Sequence, residues 1–94
     1  MDKADKILQA SINELEPKHE KGKRGYEYYR RKFIGWGQAG QCVVNIYEIP
    51  VGKSAYPYHY HHMNEEVFYI ISGQGLLRTP QGERTVLAGE LLFF

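Results

Sequence analysis

Beyond residue 25, the chain consists of short segments rich in aromatic and β-branched residues, separated by breaks at glycine or proline. Segments of this composition between such breaks predict β-strands. The predicted strands occupy 26–34, 41–49, a run that begins at Glu66, 76–79 and 83–87. Because strands recur at such short intervals, the pattern favours a β-barrel or a β-sandwich over alternating strands and helices. The sequence therefore predicts an all-β protein.

A turn sequence lies between the last two predicted strands. Thr79-Pro80-Gln81-Gly82 places proline at the second position of a β-turn and glycine at the fourth, where each is favoured. The segments on either side, 76–79 and 83–87, are therefore predicted to pair as a hairpin.

The first 25 residues have a different pattern. Leu8, Ile12 and Leu15 are spaced as on one face of a helix, but the segment is short and poorly capped. Residues 1–16 therefore predict either a short helix or an arm strand. Residues 17–25 are mostly charged and predict a loop in which His19 is solvated. The predicted organisation is an N-terminal arm and charged loop over 1–25, followed by a barrel over 26–94.

Composition restricts the class of protein. Ninety-four residues form one domain, and 43% hydrophobic residues with a net charge of +1 describe an ordinary globular protein that needs neither nucleic acid nor membrane as a partner. The single cysteine, Cys42, cannot form an intrachain disulfide, and its apolar surroundings predict a small buried side chain. No signal peptide or membrane-length apolar run is visible, so a cytoplasmic location is expected.

The candidate chemistry is concentrated between residues 59 and 66. His59 and His61 are two residues apart, so on a strand they point the same way with Cα atoms about 6.6 Å apart, and two imidazoles can converge on one ion. Glu66 lies five residues after His61, which puts it on the other face of a straight strand. A bend at 62–65 is therefore required, after which Glu66 begins a new strand and can face the same pocket. An isolated His-x-His pair more often serves packing or hydrogen bonding, and the added carboxylate favours a metal site.

This segment is similar to the first motif of the cupin family, which is a glycine, five residues, His-x-His, three or four residues, a glutamate, six residues and a glycine. His59 and His61, four residues, Glu66, six residues and Gly73 match it. The one departure is that six residues separate Gly52 from His59, which indicates a longer loop before the site. The resemblance extends over roughly 43–94.

The resemblance implies a cupin-like antiparallel β-barrel, of the jelly-roll or double-stranded β-helix type, that binds a divalent metal through His59, His61 and Glu66. A fourth ligand normally comes from a second histidine motif, and 82–94 resembles the strand pair that leads into that motif. The sequence ends in four apolar residues before the motif is reached, so the barrel is expected to be incomplete at its C-terminus. A longer native chain is expected, and also a homodimer in which the N-terminal segment or the face of Tyr56, Tyr58 and Tyr60 covers the partner.

The motif does not select the ion or the reaction. Two histidines and a carboxylate suit non-haem iron, and imidazole and carboxylate ligands also suit manganese, zinc and nickel. Phe68 and Ile70 share the parity of Glu66 and are predicted to line the pocket for a small molecule. The favoured hypothesis is a metal-dependent enzyme of oxygenase, isomerase or decarboxylase type, acting on a small oxygen-rich molecule. The alternatives are a non-catalytic binding or sensor protein and a structural barrel, and no catalytic acid or base is assigned.

Overall fold

A computed structural model of the protein describes residues 7–38, 40, 42–55 and 65–93. A single turn of 3-10 helix, Ile12–Glu14, precedes the strands. The strands are β1 (Pro17–Lys21), β2 (Glu27–Ile34), β3 (Val44–Glu48), β4 (Val67–Tyr69), β5 (Gln74–Thr79), β6 (Gly82–Leu87) and β7 (Leu91–Phe93). Every pairing between these strands is antiparallel, so the predicted all-β fold with antiparallel sheets is confirmed.

The chain divides into two compact units, Met1–Pro57 and Tyr58–Phe94. The first unit contains one sheet in the order β1-β2-β3. The pairing of β2 with β3 shifts by one residue between Lys32 and Ile34, which is the signature of a β-bulge. Ile34, at the end of β2, is the buried apolar residue of this unit among those described.

The second unit contains two strand pairs, β4 with β7 and β5 with β6. The β5–β6 pair is the hairpin predicted from the turn sequence, and it extends two residues further toward the N-terminus than predicted, to Gln74. The backbone φ of +124° at Gly82 and the hydrogen bond from the Thr79 hydroxyl to the Gly82 carbonyl close its turn. Val86 of β6 lies opposite Gly75 and is buried.

The prediction of a loop over residues 17–25 was wrong for its first five residues, which form strand β1. This strand has no apolar side chain in a core, so neither hydrophobic periodicity nor β-propensity could indicate it. It exists because its backbone pairs with β2, and charged side chains link the two strands. On one face Arg30 and Lys18 both contact the carboxylate of Glu20, at 3.2 and 3.4 Å.

On the other face of the same sheet, Glu27 connects β1 to β2. The Nε2 atom of His19 donates to Glu27 Oε2 at 2.9 Å, and the imidazole stacks on the ring of Tyr29 with centroids 4.7 Å apart. Lys53 Nζ lies 4.0 Å from the second carboxylate oxygen. The hydrogen bond from His19, with the positive charges of Lys21 and Lys53, holds the pKa of Glu27 below its usual range against the opposing effect of desolvation.

This lowered pKa predicts a loss of stability in acid. A carboxylate whose pKa is lower in the folded protein stabilises it above the ordinary pKa of the group, and that contribution disappears as the pH falls through the lowered value. The stability difference between the wild-type protein and Glu27→Gln should therefore shrink as the pH is lowered from neutral to about 3, as measured by denaturant unfolding. Glu48→Gln, which removes a more exposed carboxylate paired with Arg31, is the control for loss of a surface ion pair and should change stability little. A wild-type advantage over Glu27→Gln that does not change with pH would contradict this account.

Among the described residues, no helix has the length and apolar character needed to span a bilayer.

Candidate metal centre

Strand β4 places Glu66 on the more protected side of the chain. Side-chain burial alternates along this segment, as expected for a strand whose successive residues point to opposite faces. Glu66, Phe68 and Ile70 are half-buried. The intervening side chains are exposed, namely Glu65, Val67, Tyr69 and Ile71. Glu66, Phe68 and Ile70 therefore share one side of this segment and Glu65 is exposed, whereas their roles as ligand and pocket residues stay predictions.

Strand β7 contributes one residue to the same side of the β4–β7 pair. Leu92 lies opposite Phe68 and is also half-buried, so the protected side of the β4–β7 pair, which we call the half-buried face, is formed by Glu66, Phe68, Ile70 and Leu92. On the opposite face, Val67 pairs with Phe93 and Tyr69 pairs with Leu91. Glu66 therefore lies on the same side as three apolar side chains, where partial exclusion of water would strengthen an interaction with a cation.

A tight turn between β6 and β7 holds the far end of β4. The backbone N–H of Glu90 donates to the Leu87 carbonyl at 3.1 Å, and Gly89 has a φ of +89°, which only glycine adopts without strain. The carboxylate of Glu90 accepts a second bond from the Leu87 N–H at 2.6 Å. Two backbone bonds then join this turn to Ile70, from its N–H to the Glu90 carbonyl at 3.0 Å and from the Gly89 N–H to its carbonyl at 2.7 Å.

The predicted histidine ligands, His59 and His61, lie outside the described residues. Within the described part of the chain, no group of three or more histidine, cysteine, aspartate or glutamate side chains is arranged to hold a metal ion. The structure therefore leaves metal binding by His59, His61 and Glu66 as a prediction. The observation that bears on it is the placement of the Glu66 carboxylate on the half-buried face, and the chemistry of a donor set with two imidazoles and one carboxylate fits a divalent transition metal.

Two features of the chain were missed or misjudged from its sequence. Cys42 was predicted to be buried, but it is exposed, because it precedes β3 and the described core does not extend to it. Glu90 was not identified as a residue that holds the β6–β7 turn to Ile70. Its contact with Ile70 depends on the pairing of β4 with β7, which the spacing of apolar residues does not reveal.

Comparison with known families agrees with the motif. A family model described as the cupin domain matches residues 45–94, which is more than half of the chain. A search of curated proteins and a search of solved structures found no match. The matched region includes His59, His61 and Glu66 and begins two residues after the boundary suggested by the motif. The chain therefore belongs to the cupin family.

Proposed function

We propose that this cupin binds a divalent transition metal through His59, His61 and Glu66. The observation that carries the proposal is the position of Glu66, half-buried directly before β4 and on the same side as Phe68 and Ile70. The spacing from His59 and His61 to Glu66 is that of the cupin motif, and the family model includes all three residues.

The roles of the residues follow from their chemistry. The two imidazoles and the carboxylate of Glu66 would hold iron, manganese, zinc or nickel and leave coordination positions for a ligand. A bound ion of this kind supplies Lewis acidity or oxygen activation to a small oxygen-rich molecule. Phe68 and Ile70 line the same side, exclude water from the carboxylate and provide apolar contact for the body of the ligand.

Two functions share this centre. The first is an enzyme of oxygenase, isomerase or decarboxylase type, and the alternative is a non-catalytic protein that binds or senses a small, sugar-like molecule. Turnover of a bound ligand by the metal-loaded protein distinguishes them. The homodimer and the cytoplasmic location expected from the sequence also stay predictions.

Metal-dependent stability tests the proposal. An ion that binds only the folded protein stabilises it by about 2.7 kcal/mol when its free concentration is about 100-fold above the dissociation constant. Thermal unfolding of the metal-stripped protein should therefore shift to higher temperature on addition of at least one of Mn²⁺, Fe²⁺, Ni²⁺ or Zn²⁺. If none of the four ions raises the midpoint, the proposed centre is wrong.

A further inference from the structure

The turn between β6 and β7 lies beside the paired strands β4 and β7 and is hydrogen-bonded to Ile70. Strand β7 begins at Leu91, directly after this turn, and its pairing with β4 sets Phe68 opposite Leu92. A shift of one residue in such a pairing moves every side chain of a strand to the other face. The register between β4 and β7 therefore decides which face carries Glu66, and the turn directly precedes β7.

The carboxylate of Glu90 is the side-chain element of that turn. Its Oε1 atom accepts the Leu87 N–H at 2.6 Å while its own backbone N–H donates to the Leu87 carbonyl at 3.1 Å, so residues 87 and 90 are joined twice. Its carbonyl oxygen accepts the N–H of Ile70 at 3.0 Å. Glu90 thus contributes to the turn through its side chain and joins the turn to Ile70, four positions from Glu66, through its backbone.

We infer that Glu90 is a positioning residue for the metal centre, holding β4 in the register that keeps Glu66 on the half-buried face. This inference rests on the proposed function, because Glu66 matters to the ion only as its ligand. Hydrogen-bond partners that orient metal ligands typically contribute 10- to 100-fold to metal affinity. Glu90 acts at a greater distance, through backbone pairing, so the lower end of that range is expected.

Cobalt(II) binding to Glu90 variants tests this role. Glu90→Ala should bind Co²⁺ about tenfold more weakly than the wild type, with a changed visible absorption spectrum, because the ligand carboxylate is less well placed. Glu90→Gln keeps an oxygen acceptor and should recover part of the affinity. Glu83→Ala is the matched control, since it removes a carboxylate that pairs with Arg78 on the β5–β6 hairpin, and it should bind within about twofold of the wild type.

A second comparison separates positioning from general stability. Val86→Ala removes part of a buried side chain on β6 and lowers stability without altering the Glu90 carboxylate. If Val86→Ala weakens cobalt binding as much as Glu90→Ala does, or if both Glu90 variants bind like the wild type, the inference is overturned. If Glu90→Ala does not fold, the cobalt affinity of Glu90→Gln is compared with that of Glu83→Gln instead. Glu90→Gln should bind more weakly, because an amide oxygen is a weaker acceptor than a carboxylate and should place Glu66 less well.

Amide exchange gives a readout that does not depend on the metal. In Glu90→Ala, the Leu87 N–H loses the carboxylate that accepts its hydrogen bond and should exchange faster than in the wild type. The Ile70 N–H keeps its acceptor, the backbone carbonyl of residue 90, and should exchange faster because the loosened turn holds that carbonyl less firmly. Unchanged exchange at both amides would refute the structural part of the inference. A wild-type protein that binds no cobalt would instead refute the proposed function, and the positioning role with it.

Discussion

Replacing His61 with alanine is expected to remove tight metal binding. With His61 absent, one imidazole and one carboxylate remain of the proposed centre, and the affinity should fall by more than about 100-fold, beyond the effect typical of residues that only orient a ligand. Titration with Co²⁺ or Mn²⁺ measures the change, and thermal unfolding should show that the ion no longer stabilises the variant.

His19→Ala is the matched control for this result. His19 is bonded to Glu27 in the β1–β2 pair and lies outside the cupin motif. Its loss should weaken the attachment of β1 and leave metal affinity close to that of the wild type. Equal loss of affinity in the two variants would show that histidine removal acts through folding, and an unaltered affinity in His61→Ala would exclude His61 as a ligand.

Replacing Glu66 with glutamine is expected to have the second-largest effect. The amide has nearly the shape of the carboxylate but no negative charge, so it is a much weaker ligand for a divalent ion, and the affinity should fall by at least about tenfold. Glu65→Gln changes the adjacent carboxylate, whose side chain is exposed, and should have little effect.

Comparing these two variants tests which of the two adjacent glutamates is the metal ligand. Both substitutions remove one negative charge from neighbouring positions, so long-range electrostatics affect them almost equally and cancel in the comparison. A Glu65→Gln variant that loses the ion while Glu66→Gln retains it would reverse the assignment and would require the opposite face of β4 to point at the metal.

The parts of the fold that could be predicted are those with a local chemical signal. The β5–β6 hairpin follows from proline and glycine at fixed turn positions, and the parity of Glu66, Phe68 and Ile70 follows from the two-residue period of a strand. Strand β1 could not be predicted in this way, because its residues are polar or charged. Its structure comes from pairing with β2, from the ion pair between Arg30 and Glu20 and from the hydrogen bond between His19 and Glu27.

The residues of the candidate site differ in the same way, because some have a local sequence signal and others depend on strand pairing. Glu66 is identified by its spacing from His61 and Gly73, which is a property of nearby residues in the sequence. Glu90 is joined to Ile70 only after β4 and β7 have paired across 20 positions of chain, and no local pattern at residue 90 indicates that contact. Family membership likewise gives the fold without choosing between an enzyme and a binding protein, because function depends on the site that a fold carries.

Metal content of the purified wild-type protein tests the central claim most directly. The protein is produced with iron, manganese, nickel and zinc available and analysed for all four elements by mass spectrometry. The account predicts a bound transition metal at a level approaching about one equivalent per chain, and much less in His61→Ala purified in parallel. A wild-type protein that carries less than about a tenth of an equivalent of any of them, and that takes up none when they are added, would contradict it.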